Sequence, residues 1–175
     1  MEILRKSIYS KFLILKIDME KENWNREIPS SAGWYFITTN APKSVFRNLN
    51  SPPSEYKNKN GKLKKCRNYN LMARAESHGS EEGKNTIVIP ESDEYAIYSG
   101  YAKSLKSRSR EHTFAHEGTA GLSLANYEQL KKYCWKFHYK ILSDTAIEYE
   151  NHDIVLRLGE QMWRSKHGWP LLCSA

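Results

Sequence analysis

"YSGYAKSLKSRSREH", residues 98–112, begins as a strand, turns after a glycine and continues as a basic helix that carries Arg108 and His112. The helix is read from about Lys103 to His112, directly after Tyr98, Ser99 and Gly100. Positions i and i+4 of a helix are neighbours on one face, so Arg108 and His112 stand side by side. A solvated basic helix accounts for the charge of this stretch. It does not account for the register of tyrosine, arginine and histidine, and the rest of the chain has to decide.

Working outward, "AGWYFITT" (32–39) is aromatic and β-branched and is bounded by turn-forming residues, which reads as a buried strand. Alternation puts Tyr35 and Ile37 on one face of it, as it puts Tyr98 and Gly100 on one face of the later strand. "TIVIP" (86–90) and "EYAIYSG" (94–100) are further strand candidates, and "KYCWKFHYKIL" (132–142) alternates enough to be a half-exposed strand. "PKSVFRNLN" (42–50) suits a short helix with Pro42 in its first turn. "NYNLMARAESH" (68–78) has helical spacing, which "GSEEGKN" breaks, and "FAHEGTAGLSLANY" (114–127) is irregular. The last long element, "YENHDIVLRLGEQMWRSKHG" (149–168), places Ile154, Leu158 and Met162 at helical intervals and stops at Gly168-Trp169-Pro170. This order predicts an α+β domain over 29–175: a small, mainly antiparallel central sheet of three strands, flanked by helices. Residues 1–28 are expected to pack against it as an N-terminal extension.

At 175 residues the chain is one domain's worth, with 39% hydrophobic and 12% aromatic residues to build a core. "FLILKI" (12–17) is too short to span a bilayer and is interrupted by Lys16, so no membrane segment is expected. No small-residue cleavage site follows it, so it does not read as a signal peptide. Cys66, Cys134 and Cys173 are odd in number and widely spaced. That argues against a disulfide framework and fits a reducing, cytoplasmic setting. His112 and His116 lie four apart but lack a nearby third ligand, which makes zinc a poor reading.

The net charge of +7 is unevenly distributed. Between Pro42 and Asn85 ten basic residues face four acidic ones, a local surplus of +6. Residues 51–66, "SPPSEYKNKNGKLKKC", are read as a loop, and the 42–90 region as a large basic insertion. Such one-sided charge suits contact with a phosphate backbone, with Lys57, Lys59, Lys62, Lys64, Lys65 and Arg67 as the candidate DNA contacts. A solvated surface excursion is the competing reading.

Phosphodiester hydrolysis needs an activated water, charge stabilisation on the phosphoryl group and help for the leaving oxygen. Arg108 is a permanent cation suited to a phosphoryl oxygen. A phenol ionises near pH ~10 and becomes a base only where cations stabilise its anion. Glu160 is the only acidic residue in "LRLGEQMWRSKHG", and a lone carboxylate suits one Mg²⁺ with water and phosphate completing its shell. The ordered set is Gly33-Trp34-Tyr35, Tyr98-Ser99-Gly100, Arg108, His112, Glu160 and a Pro170-Leu-Leu-Cys173 ending. It resembles the GIY-YIG nuclease family over about residues 32–173.

That resemblance implies a Mg²⁺ (or Mn²⁺)-dependent deoxyribonuclease with Tyr35 as general base and Tyr98 assisting. Arg108 and His112 are implied on the scissile phosphate, and Glu160 on the metal. A stand-alone nuclease with an enlarged basic loop resembles the family's restriction enzymes, which implies double-stranded DNA as partner and a possible homodimer. The chain departs from the pattern in three ways. Trp34 and Ser99 occupy isoleucine positions, the two tripeptides lie about sixty residues apart, and Cys173 stands where an asparagine closes the site. The last departure motivates an alternative, a catalytically inactive nucleic-acid-binding protein on the same scaffold.

Overall fold

The strand read from "AGWYFITT" forms as β2 (Gly33–Thr39) and lies at the centre of the molecule. A computed structural model describes residues 2–67, 69–77, 87–88, 93–145 and 151–173. β2 pairs antiparallel with β6 (Tyr95–Ala102) on one side and β7 (Trp135–Ile141) on the other. β1 (Leu13–Lys16) then pairs with β7, and β5 (Ile87–Val88) with β6. The order β1-β7-β2-β6-β5 makes a sheet of five strands, not three.

Two of the corrections come from the N-terminal region and from β7. Residues 1–28 do not merely pack on the domain: Leu13–Lys16 is a strand of the central sheet, and α1 (Glu2–Tyr9) covers one face of that sheet. β7 is not a half-exposed strand but an inner one, flanked on both sides. The lysines that suggested solvent are in use inside the structure. Lys136 pairs with Glu94 at 2.5 Å, and the Lys140 ammonium donates to the Ser7 carbonyl at 2.8 Å and to Ser10 Oγ. The second contact fastens the end of α1, where exposed helix carbonyls attract a cation.

Each face of the sheet has its own apolar cluster. Tyr35 and Ile37 face the side carrying α4 (Leu105–Phe114), together with Phe137, Leu105, Leu122 and Leu124. Trp34 and Phe36 face α1 and α5 (His152–His167), together with Leu4, Ile8, Leu156 and Trp163. Fully burying a large apolar side chain contributes about 1.5–3 kcal/mol, so these two layers fix which way every β2 residue points. α5 turns a different stripe inward from the one expected. Leu156, Gly159 and Trp163 are buried, Leu158 and Met162 are only partly covered, and Ile154 is 62% exposed.

The basic segment is also more ordered than a loop. Glu55–Lys57 (β3) and Leu63–Lys65 (β4) form a separate antiparallel hairpin. Asn58 Oδ1 accepts from the backbone N–H groups of Asn60 and Lys62, and Gly61 takes a positive φ of 73° in the turn. α2 (Lys43–Arg47) begins just after Pro42, and α3 (Leu71–Ser77) packs against it. Of the strand expected at 86–90, Ile87 and Val88 form β5, and the rest lies outside the described residues.

One buried polar cluster makes a prediction about acid. Thr38 Oγ1 donates to Glu94 Oε2 at 3.0 Å and lies 2.9 Å from His138 Nε2, which therefore donates to it. Burial pushes the His138 imidazole down to about 4; Glu94 opposes this and Lys136 adds to it. Burial, then Arg108, holds His112 low as well. The unfolded chain takes up these protons near pH ~6.5, before the folded protein does. Stability should therefore fall as pH drops from about 6.5 towards 4, by on the order of 3 kcal/mol for His138. Urea midpoints measured at half-unit pH steps test this; a flat profile down to pH 5 contradicts it.

Candidate active site

A β-bulge aims the second tyrosine. Ala96 pairs with Thr38 and Tyr98 with Ile37, so Ile97 is an extra residue in β6. Paired residues point the same way, so Tyr98 and Gly100 join Tyr35 on the α4 face. The bulge carbonyl of Ile97 accepts the Leu172 N–H at 2.9 Å, which brings the chain's final segment against β6.

Tyr35 and Gly100 face each other across the strand pair, and this explains the glycine. A Cβ on Gly100 would lie 2.5 Å from the Tyr35 hydroxyl and 2.8 Å from its ring carbon. The phenol cannot swing clear, since its ring stacks on Phe137 at 5.1 Å and lies nearly parallel to Tyr98 at 6.2 Å. Only a residue without a side chain lets the Tyr35 ring lie across β6.

α4 then supplies the polar partners, and its register follows from its cap. Ser104 accepts the Ser107 N–H, which starts the helix so that Arg108 and His112 face the sheet. Arg108 Nε–H donates to the Tyr35 oxygen at 3.1 Å, and His112 Nε2 lies 2.8 Å from the same oxygen. His112 Nδ1 accepts the Leu122 N–H at 3.4 Å, so the ring's proton sits on Nε2 and is donated to Tyr35. Two donors therefore converge on one phenol oxygen. Arg108 is steadied by Glu111 at 2.7 Å and by the Ala120 carbonyl at 2.9 Å.

The electrostatics of this oxygen are a contest. Burial pushes the Tyr35 phenol up, Arg108 pulls it down through charge and hydrogen bond, and Cys173 and Glu160 push it up again. Tyr98 is also raised, by burial first and then by Tyr35 and Tyr69. Arg108 keeps its charge despite burial because Tyr35 and Glu111 favour the cation. His112 is wholly buried and neutral, with both ring nitrogens engaged. In this geometry it touches the phenol rather than a phosphate, and it donates to Tyr35 rather than drawing a proton from it.

Glu160 reaches the same neighbourhood from the opposite face of the sheet. Trp34 of β2 explains how. Its indole N–H donates to the Leu156 carbonyl of α5 at 2.8 Å. A Cβ on Gly159 would stand 2.4 Å from that indole nitrogen, so α5 sits directly on Trp34 one residue before Glu160. Glu160 Oε1 pairs with Arg164 at 2.5 Å, and Arg164 in turn donates to Ser99 Oγ at 3.0 Å and the Ser99 carbonyl at 3.3 Å. Burial raises the Glu160 carboxyl above its usual range against the pull of Arg164. Its Oε2 has no hydrogen-bond partner among the described residues, which fits the position of a single cation ligand. No cluster of three or more histidines, cysteines or acids that could hold a metal occurs among the described residues.

Cys173 is a buried thiol engaged with the backbone of β6. Its sulfur accepts the Ser99 N–H at 3.2 Å and lies 3.4 Å from the Ser99 carbonyl as a donor. The thiol thus covers the open edge of β6 beside Tyr98, much as a neighbouring strand would. All three cysteines are free.

The structure thus brings Tyr35, Tyr98, Arg108 and His112 into contact and Glu160 within electrostatic reach of Tyr35. Lys57, Lys59, Lys62, Lys64, Lys65 and Arg67 are all exposed on or beside the hairpin, apart from that cluster. Sequence reasoning missed Tyr69, whose hydroxyl lies 3.3 Å from that of Tyr98, and also Glu111, Ser99 and Arg164. Arg164 was the most findable of these, because it stands four residues after Glu160 on a helix. No protein family, no curated protein and no solved structure matches this chain. No helix among the described residues is long and apolar enough to cross a membrane.

Proposed function

We propose that this chain is a metal-dependent endonuclease of the GIY-YIG type that hydrolyses phosphodiester bonds of double-stranded DNA. One observation carries the reading: Arg108 and His112 converge on the Tyr35 oxygen at 3.1 and 2.8 Å, with the Glu160 carboxylate acting on it electrostatically. Burial leaves the Tyr35 phenol raised overall, and the two donors oppose that rise by favouring its anion. Tyr35 is then the group that takes a proton from the attacking water, with His112 holding its oxygen in place. Arg108 Nη2 is free of protein partners among the described residues and serves the non-bridging phosphoryl oxygens. A Mg²⁺ or Mn²⁺ held at Glu160 would stabilise phosphoryl charge and cancel the carboxylate's upward push on Tyr35. Tyr98, stacked over Tyr35, assists by shaping the pocket.

The basic hairpin is the DNA-contacting element of this reading. Its six cations track the phosphate backbone, and a sequence-specific restriction activity by a homodimer, in a reducing cytoplasm, is its finer form. Neutralising Lys57, Lys59, Lys62, Lys64 and Lys65 to Gln should flatten the salt dependence of DNA binding by about one logarithmic unit per lost contact. An unchanged slope makes the hairpin a spectator. The binding-only alternative rests on Cys173, whose thiol engages the Ser99 backbone under either reading.

Incubating the protein with plasmid and with unrelated genomic DNA, in Mg²⁺ or in EDTA, tests the activity. Discrete bands in Mg²⁺ alone are the expected result. A Mg²⁺-dependent smear removes the sequence specificity, and a salt-sensitive mobility shift without cleavage returns the binding protein.

A further inference from the structure

The insertion sits against the parts of the site that hold Arg108 and His112. The Arg67 N–H donates to the Glu117 carbonyl at 2.7 Å, and the Tyr69 N–H to the Gly121 carbonyl at 3.3 Å. These two bonds bracket the 116–121 loop like a short added strand. A Cβ on Gly118 would lie 2.5 Å from the Tyr56 hydroxyl, so the hairpin itself rests on that loop. The same loop carries the Ala120 carbonyl that steadies Arg108, and Leu122, whose N–H fixes the His112 tautomer, follows it.

Tyr69 extends this contact to Tyr98. Its hydroxyl meets the Tyr98 hydroxyl at 3.3 Å, and the rings meet edge to face at 5.8 Å and 85°. The Arg74 guanidinium lies over the Tyr69 ring at 5.4 Å. The Tyr98 hydroxyl has no other hydrogen-bond partner among the described residues.

We propose that the basic insertion completes the active site: Tyr69 is a positioning residue for the Tyr98 phenol, and the backbone of Arg67 and Tyr69 clamps the loop that sets Arg108 and His112. DNA held by the hairpin lysines is thereby coupled to the geometry of the reacting groups, because one segment joins both. The proposal rests on the nuclease reading for its catalytic readout and on geometry alone for its structural one.

Tyr69→Phe tests it, since the ring and the backbone clamp remain and only the hydroxyl goes. Single-turnover cleavage of bound DNA should slow roughly fivefold to tenfold with DNA affinity unchanged. The pH–rate profile should also shift, because Tyr69 is one of the groups facing Tyr98, along with Tyr35 from β2, Arg108 and His112 from α4, and Cys173. An unchanged rate and profile overturn the proposal while the nuclease reading stands. Carbon NMR of ring-labelled tyrosine gives a readout that needs no activity. The Tyr98 resonance should move in Tyr69→Phe while that of Tyr127 stays. An unmoved Tyr98 resonance overturns the positioning role of Tyr69 even if the protein cleaves no DNA at all.

Discussion

Tyr35→Phe is expected to slow DNA cleavage by roughly 10²–10⁴-fold, the range of a lost general base, while fold and DNA affinity hold. Phenylalanine keeps the stack on Phe137 and the parallel contact with Tyr98, so the core loses no ring. What disappears is the oxygen on which Arg108 and His112 converge. His112 is then left with an unpartnered N–H in a fully buried setting, at a cost of about 1–3 kcal/mol. The thermal midpoint should therefore fall modestly, and the cleavage rate far more. Single-turnover rates beside mobility-shift affinities separate the two; equal rates in both proteins remove Tyr35 from the chemistry.

The second large effect is at Glu160. Glu160→Gln keeps a hydrogen bond to Arg164 and the packing of α5 while removing the charge that would hold a cation. Cleavage should fall on the order of 10³-fold, and binding in EDTA should match the unmodified protein. Burial raises this carboxyl, so protons compete with the metal at higher pH than for an exposed glutamate. Cleavage should accordingly be lost on acidification before the ordinary carboxylate range, near ~4.3, is reached. Cleavage by Glu160→Gln at the unmodified rate would contradict the assignment.

Much of the site was legible because it rests on local spacing. The pairing of strand alternation with an i, i+4 helix step carried Tyr35, Tyr98, Arg108 and His112, and the structure brings those four together. What stayed hidden depends on tertiary contact. Lys136 and Lys140 gave β7 an exposed look because Glu94 and Ser7, their partners, lie far off in sequence. Leu13–Lys16 is too short to show a period and becomes a strand only by pairing with β7. Ile154, Leu158 and Met162 are spaced like a buried stripe, yet Trp34 selects the neighbouring one through Leu156 and Gly159. One miss was avoidable. Asn60-Gly61 between two short runs is a hairpin signal, and the lysine-rich composition around it drew attention away. Nothing local marks Tyr69, because its role arises where the insertion meets Tyr98.

The most direct test assembles the protein on DNA in EDTA, confirms the complex by its mobility, and then adds excess Mg²⁺ and follows product strands within one turnover. Product appearing only after the metal, with no step of rebinding, is the predicted result. Product forming before Mg²⁺ is added, or none forming from a complex that is demonstrably bound, would contradict a metal-dependent phosphodiesterase site built on Tyr35, Arg108 and Glu160.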